Sequence, residues 1–297
     1  MLNVSKGLLS LWFLSIFVLC MACAPVKPAR VAAVALTAED VAKAAAKQSD
    51  PTIVRYGSPA YLMLIDGLIE AYPEKRGLLT AGCRAYLSYA SSFVEETDLD
   101  QATALYVKAK NYGFRALSEK WDFRKAVAGN LEEFIVFLQQ YRKKDVPALF
   151  WTASSWVNWI NLNLDNLEAL AEMPMLEAAM QRILELDSEF YYGSPHLLMG
   201  AYLAAKPAMI GGNMNEAKEH FDRALAIGEG KVLMAKVLFA EHYARRVRDR
   251  TLFEETLQQV LAAPVDEVPE LTLSNVLAQE KARRMLEQAD EYFSELP

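Results

Sequence analysis

The sequence predicts an all-α chain of stacked helical hairpins. Three observations carry that expectation. Alternating apolar and polar runs, which strands need, are nearly absent, while apolar residues recur at helical spacing. Glycine and proline are scarce, 13 and 12 in 297 residues. The phrase Tyr56-Gly-Ser-Pro-Ala-Tyr-Leu-Met63 returns as Tyr192-Gly-Ser-Pro-His-Leu-Leu-Met199, an internal echo that marks a repeat architecture.

The first residues stand apart from the fold. Lys6 precedes an uncharged apolar run from Gly7 to Ala22, too short for a membrane span and suited to an export signal. Cys23 follows the small Ala22 and resembles the lipid-bearing cysteine of a bacterial lipoprotein, the alternatives being an ordinary secretory signal or an uncleaved anchor. Cys20 sits three residues earlier, where such sites usually have Leu, and bulky Leu19 makes it the poorer candidate. The expected division is a signal over 1–22, a tether over 23–36 and a folded domain over 37–297. Ala24 after the cysteine, rather than Asp, favours the outer membrane of a Gram-negative cell as the anchor's place. The Cys20–Cys23 spacing has no histidine or second cysteine pair to complete a metal site. Cys83, alone in the folded domain, reads as a buried small residue.

Within the domain, Thr37 is the expected cap of a short first helix. The next unit is expected to begin at Tyr56 and to end at Tyr72-Pro73. Tyr86, Ala90 and Phe93, then Ala102, Tyr106 and Ala109, fall at the interval of a tetratricopeptide hairpin, with Asp98 capping the second helix. Asp145-Val-Pro147 starts a helix bearing Trp151, Trp156 and Trp159, and residues 161–172 lengthen the link to a helix from Pro174 to Asp187. Ser194-Pro195 opens another helix, and Pro207 with Gly211-Gly212 breaks it. Asn213 and Glu216 form a capping-box pattern before Ala217, Phe221 and Ala224, small residues around a Phe that let two helices lie close. A further pair runs over 232–246 and 252–261, with Ala240 and Tyr243 on its first helix, and Pro264 and Pro269 end it. The helix from Leu271 to about Phe293 carries Glu280, Lys281, Arg283, Arg284 and Glu287 on one face, as a terminal cap should. Stacked, these hairpins form a tetratricopeptide-like solenoid with a concave inner surface.

Little of this points to chemistry. The net charge is −7 and the basic residues are dispersed, which argues against nucleic acid as a partner. There is no phosphate-cradling glycine loop, no nucleophile elbow and no H-E-x-x-H pair. No catalytic residue, cofactor or metal is therefore expected. Of the three histidines, His220 and His242 read as structural or solvated, while His196 lies beside Tyr192 in the first turn of its helix and is a candidate ligand contact. The aromatic cluster is the informative feature. Trp156 and Trp159 share a face, while Trp151 sits about 140° round the helix, so one neighbour cannot bury all three. Either they pack both adjacent hairpins or some of them line a cleft. Trp151, Trp156, Trp159, Tyr192, His196 and Tyr202 are the candidate ligand or partner contacts.

The segments WTASSWVNWI, LELDSEFYYGSPHLLMGAYLAAKP, GGNMNEAKEHFDRALAI and LMAKVLFAEHYARRVRDRTLFEETLQQVL resemble the T component of TRAP transporters (TatT), over nearly the whole mature chain. The resemblance implies a non-catalytic periplasmic lipoprotein that works with an extracytoplasmic solute-binding protein and an ion-driven permease. It implies small carboxylate-bearing or hydrophobic cargo and a homo-oligomer, a trimer. The alternative is a general tetratricopeptide scaffold for envelope or outer-membrane protein assembly.

Overall fold

The computed structural model describes residues 39–118, 122–207, 209 and 211–294. The expected export signal (1–22), the whole of the expected tether (23–36, with Cys23) and Thr37 lie outside the described residues. Residues 42–297 form one compact unit. Among the described residues, regular structure is helical and no strand occurs.

The helices are α1 (Pro51–Ala71), α2 (Arg76–Tyr89), α3 (Leu99–Leu117), α4 (Phe123–Val127) and α5 (Leu131–Leu138). The Trp-rich α6 (Val146–Asn161) follows, then α7 (Leu167–Ala171), α8 (Met173–Asp187), α9 (Phe190–Ala205) and α10 (Met214–Ile227). The chain closes with α11 (Leu233–Phe239), α12 (Arg250–Ala262), α13 (Thr272–Glu287) and α14 (Ala289–Phe293).

Two of the caps expected from sequence, Asp98 and Asn213, are in place. Asp98 accepts from the amide of Gln101 at 2.9 Å, and Asn213 accepts from those of Asn215 and Glu216. Each satisfies donors that the first helical turn leaves free. Asp145 is held before α6 by Arg76 at 2.6 Å and by the Arg142 amide at 2.8 Å. Both α2 and α11 run on into a π-helical turn, Ala90–Val94 and Ala240–Ala244, with an aromatic residue (Phe93, Tyr243) at the same place in each.

Two expectations are corrected. Tyr56-Gly-Ser-Pro59 does not open a helix; it lies inside α1, whose start is Pro51 capped by Asp50. A proline at the first helical position and an aspartate before it make the stronger start signal, and Pro59 is then accommodated within the helix. The helix expected over 271–293 is broken at Gln288 into α13 and α14, and its charged face is partly engaged. Arg284 reaches back to Glu96 at 2.7 Å, Lys281 pairs with Glu241 at 2.8 Å, and α13 touches α1. The last long helix thus returns to the first hairpins.

The order of contacts explains the packing. α2 and α3 lie side by side, and so do α9 and α10, the latter running antiparallel. Gly200 sets α9 against α10: a Cβ there would stand 3.1 Å from the Ala217 carbonyl and 3.2 Å from the Phe221 ring. Gly113 does the same for α3 against α6, with Thr152 Oγ1 only 2.3 Å from where its Cβ would be. Phe221, Ala217 and Ala224 are buried, as the A-x3-F-x2-A pattern requires.

Phe221→Ala is expected to lower the unfolding free energy by about 3–5 kcal/mol, through lost transfer energy and a cavity. Gly200→Val should cost about 1–3 kcal/mol by forcing the α9–α10 hairpin apart. Urea unfolding of the two variants and the parent chain checks both values.

Candidate functional site

The Trp helix divides its aromatics between core and surface. Trp156 has no exposed area and packs edge-on against Phe114 and Phe123. It is therefore a core residue and not a wall that a ligand touches in this conformation. Its indole N–H donates to Glu172 at 2.5 Å, and Lys110, from α3, meets the same carboxylate oxygen at 3.0 Å. The Lys110 ammonium also stands 3.4 Å above the half-buried Trp159 ring. Burial pulls the Lys110 pKa down, and Glu172 opposes that by favouring the charged form. Trp156 and Trp159 thus share a face, as their spacing predicts, but that face encloses an ammonium.

Trp151 faces another way. Its ring is stacked by the Arg84 guanidinium of α2 at 4.9 Å and meets the Tyr191 ring of α9 at 5.6 Å. Arg84 also lies 5.7 Å from the centre of the Tyr191 ring. Phe150, Phe190 and Tyr192 continue the aromatic surface through edge contacts. Three helices far apart in sequence therefore supply one cationic, aromatic patch. Arg84 is exposed and has neither an acidic partner nor a hydrogen-bond acceptor among the described residues.

The backbone that aims Tyr191 is unusual. Tyr191, Tyr192 and Gly193 all take left-handed angles, with φ of 45°, 60° and 79°, inside α9. Glycine adopts this region freely; each bulky tyrosine there costs ~1–3 kcal/mol. Gly193 is also pressed against α10, its absent Cβ leaving room for Ile227. The Ser194 hydroxyl closes the kink by donating to the Tyr191 carbonyl at 2.6 Å. Ser194-Pro195 thus marks where regular helix resumes, as the sequence suggests.

The remaining candidates fall elsewhere. His196 is buried between α9 and α10, its Nδ1 2.9 Å from Nδ1 of His220, so one ring must donate and the other accept. The expectation that His220 is solvated or merely structural missed this pairing. Burial, with His220 and Arg223 nearby, pushes His196 down to about 4, and burial lowers His220 as well. Tyr202 is buried and donates to Glu177 at 3.1 Å, while Lys206 pairs with the same carboxylate at 2.7 Å. Tyr192 alone joins Trp151 at the patch, through Tyr191. The others brace helix contacts.

Sequence reasoning also passed over a polar knot between α1, α2 and α3. Asp66 accepts from Tyr86 and from Tyr112, each at 2.7 Å, and pairs with Lys108. Burial would raise the Asp66 carboxyl, but these donors outweigh it and hold the group below its usual range. Cys83 is buried, with its thiol pushed up to about 12 by that burial, and lies 3.7 Å from Ser155 Oγ. Among the described residues no cluster of three metal-ligating side chains occurs, and no helix is long and apolar enough to cross a membrane.

The helices thus bring an exposed cation and aromatic rings from α2, α6 and α9 together at one place. The chain belongs to the TRAP transporter T-component family, whose model matches residues 47–293. It is 22% identical over 280 residues to an uncharacterized protein of Treponema pallidum (strain Nichols), covering 87% of this chain and 85% of that one. Membership gives it an accessory role in TRAP transport, a role outside the known enzyme families.

Removing Glu172 should strand a buried ammonium. Glu172→Ala is expected to cost about 3 kcal/mol, the lower end for a broken buried pair because the carboxylate keeps some solvent contact. Glu172→Gln should cost less, since its amide oxygen still accepts from Trp156. Denaturant midpoints of both variants test the order. The histidine pair predicts an acid response. Because its folded pKa lies below the ordinary 6.5, His196 contributes full stability above 6.5 and loses it as pH falls toward about 4. His196→Asn should flatten that part of the pH–stability curve, measured by thermal melting.

Proposed function

We propose that the protein is a non-catalytic periplasmic lipoprotein that docks the extracytoplasmic solute-binding protein of a TRAP system. It passes a small hydrophobic or carboxylate-bearing ligand along an aromatic-lined surface. In this reading the hairpins form a tetratricopeptide-type solenoid, the leading residues direct export, and lipid on Cys23 holds the chain at the membrane, the outer one in a Gram-negative cell. The working form is a homo-oligomer, a trimer. Family membership over 47–293 carries the proposal. The aromatic patch shared by α2, α6 and α9 supports the ligand-handling part, because stacked rings offer apolar area at little entropic cost.

The test uses the full chain, purified from membranes with its lipid. Mixed with the cognate TRAP-type solute-binding protein, it should form a complex that native mass spectrometry resolves as a defined oligomer. Recovery of outer-membrane proteins instead, with no solute-binding protein, would move the assignment to an envelope-assembly scaffold. Cys23→Ser should release the chain from the membrane fraction, since one anchored residue carries the attachment. Unchanged membrane association in that variant would overturn the lipoprotein assignment.

A further inference from the structure

We propose that Arg84, Trp151 and Tyr191 form a binding site for the carboxylate of a small organic monoanion. The guanidinium edge is the anion's partner, and the surrounding rings bed its apolar part. The proposal rests on the ligand-handling reading above and names the residues that would hold a carboxylate there.

The first support is a guanidinium with no acidic partner and no hydrogen-bond acceptor among the described residues. Arg84 projects from α2 between helices α6 and α9, yet the contacts it makes are to two aromatic rings, at 4.9 Å and 5.7 Å. A guanidinium over ring faces makes no N–H···O bond to them, so its donors stay available to an anion. A carboxylate matches that edge with two parallel hydrogen bonds. A phosphate would call for more donors than the aromatic neighbours of Arg84 can offer.

The second support is independent of charge. Tyr191 and Tyr192 hold left-handed backbone angles that bulky residues avoid, and the break in α9 brings the Tyr191 ring to Trp151 and Arg84. An ordinary helix through these residues would aim Tyr191 elsewhere. Strain that persists where it serves no packing of the core marks a functional surface. Tyr191 indeed stays exposed. Phe190 and Tyr192 extend the rings on one side and the buried Phe150 backs them, so an apolar tail has a bed beside the cation.

The full chain, labelled with 15N at arginine, is titrated with benzoate and with hexanoate, and benzyl alcohol and 1-hexanol serve as uncharged controls. The Arg84 Nε–H signal is identified by its loss in Arg84→Lys. At least one carboxylate should move that signal saturably, and the alcohols should not. Calorimetry should show at least a tenfold weaker affinity in Arg84→Gln and a smaller loss in Arg84→Lys, which keeps charge but not the fork. Unchanged melting temperatures are expected for both variants, because Arg84 is exposed. The proposal is overturned if neither acid moves the signal, if the alcohols bind as tightly, or if Arg84→Gln binds as well as the parent. Capture of the solute-binding protein by the parent chain is scored separately. Carboxylate binding without capture leaves the site standing and removes the docking reading; capture without carboxylate binding does the reverse.

Discussion

Lys110 carries an ammonium into the interior of the helical packing, where desolvation disfavours it and Glu172, Glu168 and the Trp159 and Phe114 rings compensate. A buried charge of this kind fixes its surroundings, because any arrangement that separates the pair leaves an uncompensated ion. Glu172 stands at the end of the long link between α6 and α8, and the same oxygen receives the Trp156 indole N–H. The link is therefore longer than a plain hairpin turn because it must bring a carboxylate back over α6. With Trp156 locked by that bond and by Phe114 and Phe123, α6 has one rotational setting. Trp151, about 140° away on the same helix, is then presented toward α2 and α9.

Most helices were legible in the sequence because their signals are local. Asp98, Asn213 and Pro147 act within one turn of chain, and the small-residue pattern around Phe221 needs no knowledge of the partner beyond its being a helix. The misplaced start at Tyr56 shows the limit of an echo. The same Tyr-Gly-Ser-Pro phrase is absorbed by α1 but stands at a left-handed break in α9, where Gly193 meets Ile227. The short α4 and α5 were not anticipated at all, since runs of five and eight residues carry too little periodicity.

The site was legible as residue types and not as an assembly. Trp151 and Tyr192 were singled out, whereas Arg84 and Tyr191 were not, because nothing in a local window ties Arg84 to a tryptophan on another helix. Trp156 and Trp159 looked alike in sequence, yet one is sealed in the core and the other lies under an ammonium. The histidine pair was within reach of register reasoning. Once Gly200 is set against Ala217 and Phe221 in an antiparallel hairpin, His196, one turn earlier, falls beside the turn that holds His220. Treating each histidine on its own helix hid that convergence.

Two opposite uses of energy meet in α9. Its body is placed for close packing, with Gly200 letting α10 approach and His196 committed to a buried partner. Its first turn stays strained, holding two tyrosines in a backbone region that relaxation would empty. The rigid part makes the strained part possible: Gly193 can hold its turn because α10 presses on it, and α10 is held by Phe221 in the core. Arg284, meeting Glu96, ties the last long helix to the hairpin that carries Arg84. The aromatic patch thus sits where α2, α6 and α9 are each fixed by contacts made elsewhere. A surface built in this way holds a preset shape for a ligand and spends little ordering entropy when one arrives.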